Sequence, residues 1–412
     1  MEGTTVPVAR AEAPFSAADL AETLAEFGRS RMLPRAAYTS SSVLDFELDR
    51  LFAGSWVCVA RAEDLAAEGA RLAVRVGRVG VLVVRSRGGA GTPGGDPAGG
   101  LRAFANVCRH RGHELLAEGG SGGGRAVVCP YHAWSYRLDG SLLAAPGMSG
   151  APGFEADGHG LVGLPLEVWH GFVMVNASGD APPLERHLGA LDALVAPYRP
   201  EAMVAMASHE YLPDANWKVL CENYHECYHC PRIHPELCRV SPPTSGRNHD
   251  LPGAWVGGSM ELRDGATTMS LDGRGGPPIQ GLAGERLRTV EYLHLLPNLL
   301  LSLHPDYLMT HLIEPLDPGR SRIVCTWHFP RGAAERPGFD PAYAVEFWDR
   351  TNRQDWAACE SVQRGLANPH FRPGPLAPNE DAVYRFETLI ARAYLGERPG
   401  GPAPVPPAPS SA

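Results

Sequence analysis

Two short runs of the chain pair cysteine with histidine at spacings that suit metal ligation. The first reads Cys108-Arg109-His110-Arg111-Gly112 and the second Cys129-Pro130-Tyr131-His132-Ala133-Trp134-Ser135-Tyr136. Each run is a tip carrying one thiolate and one imidazole, and a glycine tract over 119–124 lets the two tips face each other. Two cysteines and two histidines can hold zinc tetrahedrally. They can also hold a 2Fe–2S cluster in which two histidines replace the cysteines on one iron. Zinc fingers place both histidines on one helix after both cysteines, whereas here each tip supplies one of each. That division suits two metal atoms, one taken by Cys108 and Cys129 and the other by His110 and His132.

A second constellation lies at Glu222-Asn223-Tyr224-His225-Glu226-Cys227-Tyr228-His229-Cys230-Pro231-Arg232-Ile233-His234. The pattern predicts a helix over 216–230, ended by Pro231. On such a helix Glu226 and His229 share a face, and His234 folds back from the following turn. Two imidazoles and one carboxylate leave open positions on Fe(II), the facial arrangement of non-haem iron oxygenases. The bland alternative is a zinc knuckle built from Cys221, Cys227, Cys230 and Cys238 with the same histidines. The third iron ligand must be distant, and the segment from Arg353 to Leu366 offers two acids, Asp355 and Glu360. Trp356 and Ala357 put Asp355 on a buried face, but side-chain chemistry by itself does not choose between the two.

Composition bounds the rest. The chain has 412 residues, 44% hydrophobic and 20% charged, which fits a packed globular protein of two or three domains. A net charge of −9 with interspersed signs argues against a general nucleic-acid or membrane-surface binder. No run approaches the ~20 apolar residues of a membrane span, and the N-terminus lacks an export pattern, so a cytoplasmic location is expected. Nine cysteines, an odd number, point to metal chemistry or free thiols before a disulfide framework.

These groups need elements to position them. Helical patterns are expected over 17–53. Strands follow at 71–85, 101–107, 126–129, 135–138 and 172–175, making a small antiparallel β domain that ends near residue 178. The Gly/Pro-rich stretch 88–100 reads as a hairpin loop. A helical piece at 184–198 comes next, then strands at 254–262, 289–303, 307–314 and 323–329. Long helices are expected over 341–366 and 381–394. The Pro/Ala-rich tail 396–412 has no apolar period and is expected to be disordered. The layout predicts an α+β fold with the β domain inserted into it.

Residues ~35–395 resemble the catalytic α subunit of Rieske non-haem iron oxygenases, the aromatic-ring-hydroxylating dioxygenases. The two Cys/His tips carry the resemblance. So do Asn216-Trp217-Lys218, the block with Glu226, His229 and His234, Pro297-Asn298, and Gln354-Asp355 with Glu360 and Gln363. It implies an all-β Rieske domain over 51–178, inserted in a helix-grip-like catalytic domain over 179–395, which has an antiparallel sheet and flanking helices. Residues 1–50 would form an N-terminal helical arm packing on the catalytic domain. His229, His234 and Asp355 would hold the iron, and Glu226 and Asn223 would serve catalysis. Glu226 stands where many members have Asp, and the Glu-Cys-Tyr-His-Cys text is most similar to the branch acting on quaternary ammonium compounds. Hydroxylation of an N-methyl group, with loss of formaldehyde, is the reaction this implies. Hydroxylation of an aromatic or natural-product substrate is the alternative within the family, and a zinc-stapled binding protein is the alternative outside it.

The resemblance further implies a head-to-tail homotrimer, with Glu226 bridging His229 to His132 of the partner subunit. The chain lacks a dinucleotide fingerprint, so electrons would come from a separate NAD(P)H-dependent reductase, directly or through a ferredoxin. A cationic substrate favours an aromatic cage, for which Trp255, Tyr292, Tyr307, Trp348 and Phe371 are the candidates.

Overall fold

The sheet that organises the molecule has seven antiparallel strands, in the order Met203–Tyr211, Arg320–Pro330, Leu308–Asp317, Leu299–Leu303, Thr289–Leu295, Trp255–Glu261 and Arg247–Asn248. The computed structural model describes residues 12–86, 100–180 and 182–399. The sheet explains why 293–303 is so rich in leucine: both faces are covered. Leu293, Leu295, Leu299, Leu301 and Leu303 point to one side, where they pack with Trp56, Trp169, Phe172, Leu184 and Leu188. Val290, Leu296, Leu300 and Met309 point to the other, under Trp217, Phe347, Phe386 and Ile390 of the helices Trp217–Tyr224, Ala342–Leu366 and Asp381–Tyr394.

The β domain consists of three small sheets. The largest has the order Ser121–Gly122, Arg71–Val76, Val79–Arg85, Leu101–Ala105 and Gly163–Leu164. A second joins Val57–Arg61, Phe172–Val175 and Leu166–Trp169, and a third joins Val127–Val128, Ser135–Tyr136 and Leu142–Ala144. The glycine tract over 119–124 is thus not a free loop. Gly119 donates to Ala73 O, Gly120 O accepts from Ala73, and Ser121–Gly122 pairs with Arg71 and Leu72. Backbone groups without side chains let the tract lie flat against a neighbouring strand, and Gly69 approaches Gly124 O so closely that a Cβ would stand 2.1 Å from it.

Asn298 couples the two parts of the chain. Its Oδ1 accepts from Cys58 N at 3.0 Å and its Nδ2 donates to Cys58 O at 2.9 Å, so one amide side chain imitates a strand partner across 240 residues. Residues of the N-terminal segment, among them Leu20, Leu33, Tyr38 and Phe46, share a core with Trp217, Phe386 and Tyr394.

Several expectations need correction. The apolar spacing of Leu20, Leu24 and Phe27 is met by turns and not by a helix, and the first helices are Arg35–Thr39 and Ser41–Glu47. Helix 184–198 breaks at Gly189 (φ +53°) into two short helices. The edge strand Met203–Tyr211 was not expected; its exposed positions mask the alternation that marks a strand. The stretch 88–99 and the tail from residue 400 lie outside the described residues. Among the described residues no helix is long and apolar enough to cross a membrane.

Candidate metal centres

The helix Trp217–Tyr224 is anchored by the motif that begins it. Asn216 caps it, with Oδ1 accepting from Lys218 N at 3.0 Å. The Trp217 indole donates to Glu47 Oε2 at 2.7 Å, and Lys218 Nζ to Glu47 Oε1 at 2.6 Å, all fully buried. An isolated charge there would be costly, but each charge has its partner. Gln363 closes the set, accepting from Asn216 N at 3.0 Å.

The helix stops at Tyr224, six residues before the expected end. The carboxylate of Glu226 takes over as a cap: Oε2 accepts from Tyr228 N at 2.5 Å and from His229 N at 3.1 Å. Pro231 therefore does not end a helix; it sits in the first turn of the next one, Cys230–Ile233, where its missing N–H costs nothing. Glu226 and His229 meet because of this turn and not because they share a helical face. The same turn brings the Cα atoms of Cys227 and Cys230 to 4.9 Å, and the two are joined in a disulfide. The remaining seven cysteines are free. One pair thus departs from the expected metal chemistry or free thiols, without making a disulfide framework, and it removes two donors from the zinc-knuckle alternative.

Three side chains converge beside this loop. His234 Nε2 lies 2.8 Å from Asp355 Oδ1, and His229 Nε2 lies 3.4 Å from the same oxygen. One donor atom from each of the three falls within 4.8 Å of the others. Both rings are oriented through their other nitrogen: Nδ1 of His229 is 2.5 Å from Glu226 Oε1, and Nδ1 of His234 is 2.8 Å from Gln354 Oε1. Since both acceptors are oxygens, each Nδ1 carries a proton; each Nε2 shares a proton with Asp355 when no metal is bound, and would present its lone pair to a bound metal, as metal-binding imidazoles require. Burial works against a charge on His229, but Asp355 and Glu226 on either side push its pKa up to about 9. Burial likewise tends to raise Asp355, and hydrogen bonds from both histidines hold it below the ordinary value instead. The carboxylates that hold these protons could hold a metal cation in their place. Glu360, the other candidate, faces away, accepting from Asp214 N at 3.3 Å.

The Cys/His tips share one local design. Cys108 N donates to His113 O and Gly112 N to Cys108 O; Cys129 N donates to Trp134 O and Ala133 N to Cys129 O. Gly112 (φ +73°) and Ala133 (φ +57°) take the left-handed conformation at matching places. Both thiols are buried. The rings of His110 and His132 stand 4.7 Å apart at the surface, and His110 stacks on Trp134 at 4.9 Å. Tyr136 Oη accepts from Arg109 N at 2.9 Å and lies 3.2 Å from Cys108 Sγ, so its own proton is directed to the sulfur. Two buried sulfurs and two surface imidazoles fit an asymmetric two-iron cluster better than one tetrahedral ion.

A cavity of about 660 Å³ opens from the His229/His234/Asp355 group. Asn223 and Glu226 lie on its wall, as do Tyr292 and Trp348, two of the five expected aromatics. Trp255 and Tyr307 are fully buried core, and Phe371 packs against the core. Tyr224, His311 and Trp356 also line the cavity and were missed, since their common face appears only when strand and helix are placed together.

Comparison with known proteins agrees with this geometry. The description "Rieske [2Fe-2S] domain" matches residues 55–155, and "Ring hydroxylating alpha subunit (catalytic domain)" matches 200–396. The glycine betaine monooxygenase oxygenase subunit of Chromohalobacter salexigens is 31% identical over 377 residues, covering 83% of this chain and 81% of its own. The chain belongs to the Rieske non-haem iron oxygenases. Among solved structures, the quaternary ammonium Rieske monooxygenase CntA in complex with L-carnitine superposes with a TM-score of 0.73 at 25% identity, over 94% of this chain and 100% of that one. Naphthalene 1,2-dioxygenase from Rhodococcus sp. shares the fold, with a TM-score of 0.70 at 20% identity over 89% of this chain and 95% of that one. This Rieske oxygenase therefore combines a cluster domain and a catalytic iron domain in one chain.

Proposed function

We propose that the chain is the oxygenase component of a monooxygenase that hydroxylates an N-methyl group of a quaternary ammonium compound, releasing formaldehyde. The observation that carries this reading is the arc of rings on the cavity wall. Trp348, Tyr292, Tyr224, His311 and Trp356 follow one another with centroids 6.2, 6.0, 6.2 and 6.2 Å apart. The carboxylates on the lining are Glu226, Asp355 and Asp381, which also favour a cation. An ammonium against such faces gains roughly 0.5–2 kcal/mol, while its methyl groups can reach the His229/His234/Asp355 end.

His229, His234 and Asp355 would hold the mononuclear iron; Cys108, Cys129, His110 and His132 would hold the cluster. Bound there, the iron supplies reductive activation of O2 beside the substrate's C–H bond. The chain's own residues do the positioning. Glu226 and Gln354 each hold an Nδ1 proton and so aim both Nε2 lone pairs. Tyr224 is held by its hydroxyl, which donates to Leu301 O at 2.9 Å, and offers its ring to the cavity. Asn223, half-buried on the wall, supplies an amide within the same space.

The chain would work as a head-to-tail homotrimer in the cytoplasm, receiving electrons from an NAD(P)H-dependent reductase, directly or through a ferredoxin. Tyr131 beside His132 is 52% exposed and Tyr228 beside His229 is 63% exposed, two large apolar surfaces suited to an intersubunit contact. There Glu226 would reach His132 of the partner subunit. Metal analysis with EPR on anaerobically purified, dithionite-reduced protein tests the centres, and formaldehyde release from choline, betaines and carnitine tests the reaction. Zinc without a Rieske signal, or turnover confined to aromatic substrates, would overturn the reading.

A further inference from the structure

The Cys227–Cys230 disulfide brackets His229, and no step of the proposed reaction uses it. Both cysteines line the cavity, and Cys230 Sγ lies 3.9 Å from His229 Nε2, the nitrogen turned toward the metal-binding end. In a tetrahedral zinc site, with Zn–S about 2.3 Å and Zn–N about 2.0 Å, neighbouring sulfur and nitrogen donors stand roughly 3.5 Å apart. The sulfur is thus almost at the distance of a fourth ligand. As a disulfide it is a poor donor. As a thiolate it is a strong one for zinc, and soft sulfur is the donor that moves a site away from Fe(II).

We propose that the Cys227–Cys230 pair is a redox-controlled metal gate. Closed as a disulfide, it leaves His229, His234 and Asp355 as the donors, an open three-ligand set suited to iron. Opened by a dithiol, it adds Cys230 as a fourth donor and makes a closed, zinc-preferring site. The chemistry balances: the protein disulfide and the dithiol exchange to give two cysteine thiols and one oxidised, cyclic dithiol. The Cys230 thiol then loses one proton to solvent as it binds the metal. The inference rests on the reading of His229, His234 and Asp355 as the iron ligands. It also explains why a loop rich in cysteine and histidine reads equally well as a zinc knuckle or an iron site: the oxidation state of one pair decides between them.

The test uses the full chain with its cluster loaded and its mononuclear metal removed, and Co2+ alone as the first probe. Peptide mapping assigns the disulfide or dithiol state, each prepared with diamide or dithiothreitol. The disulfide form should take up Co2+ without thiolate-to-metal absorption in the difference spectrum. The dithiol form should show that absorption and bind Zn2+ at least about tenfold more tightly in chelator competition. Cys230→Ser should remove both effects, and Cys227→Ser, which leaves Cys230 permanently free, should show them without reduction. Equal Zn2+ affinity in both forms with no thiolate absorption, or a Cys227→Ser protein that behaves like the disulfide form, overturns the gate and leaves the iron reading intact. Failure of either form to bind Co2+ at a site abolished by His234→Ala overturns the iron reading and the gate together.

Discussion

The two regions proposed to bind metal are built on opposite plans. In the Cys/His tips each proposed ligand pair is held by the turn it belongs to. Cys108 and Cys129 use the same two backbone hydrogen bonds, and Gly112 and Ala133 take the same left-handed turn. In the catalytic domain, the carboxylate that completes the site lies 121 residues from the histidine it touches, and a glutamine beside it orients that histidine. A local design survives changes elsewhere in the fold; a distributed one depends on the packing of a helix against a loop.

Substitutions should separate the two plans. The largest effect is expected from Asp355→Ala, which should remove the mononuclear metal while sparing the cluster, so that iron falls from about three to about two per chain. Substrate oxidation should fall at least about a hundredfold, and the reduced Rieske EPR signal should persist; loss of the signal would show that the two regions are not independent. Gly112→Val is the converse. A β-branched residue at φ +73° costs of order 1–3 kcal/mol. Cluster content should drop with mononuclear iron retained, as acid-labile sulfide against total iron would show. Gln354→Leu leaves all three proposed ligands but frees the His234 ring, and metal affinity measured by chelator competition should weaken about tenfold.

The smallest effect is on the pH dependence of stability. Glu222 lies on the helix that leads into the Glu226–His234 loop, with Tyr38 donating to it at 2.7 Å and, at 3.3 Å, approaching Glu387 as well. Burial pushes the Glu222 carboxyl up to about 8, against the pull of Tyr38 and Lys218. A folded-state value above the unfolded one stabilises fully below the unfolded pKa and loses that contribution as pH rises toward about 8. The thermal midpoint should therefore fall by roughly a few degrees between pH 6 and 9, and Glu222→Gln should flatten the slope. An unchanged slope in the variant would place the titrating group elsewhere.

How far each region could be read in advance follows the same division. The matching turns that carry Cys108, His110, Cys129 and His132 are legible because spacing sets their geometry: a turn of five residues permits few arrangements. The long helices at Ala342–Leu366 and Asp381–Tyr394 were legible from their apolar period. The helix expected over 216–230 is shorter because Pro231 is not its terminator: the Glu226 side chain captures the backbone N–H groups of Tyr228 and His229 just after the helix stops at Tyr224. The choice between Asp355 and Glu360 could not be made from side-chain chemistry, since both are carboxylates on one amphipathic helix and only packing shows which of them meets the histidines.

The sequence by itself determined the donor chemistry, the two-tip design, the α+β layout with its inserted β domain, and the family to which they belong. These rest on residue identity and short spacing, and short segments have few ways to fold. Tertiary structure alone decided that Asp355 faces the two histidines, that Glu226 and Gln354 aim them, that Cys227 and Cys230 meet, and that five rings from strands and helices share one cavity wall. Each of those contacts joins residues through the packing of separate elements, and packing depends on the whole core at once.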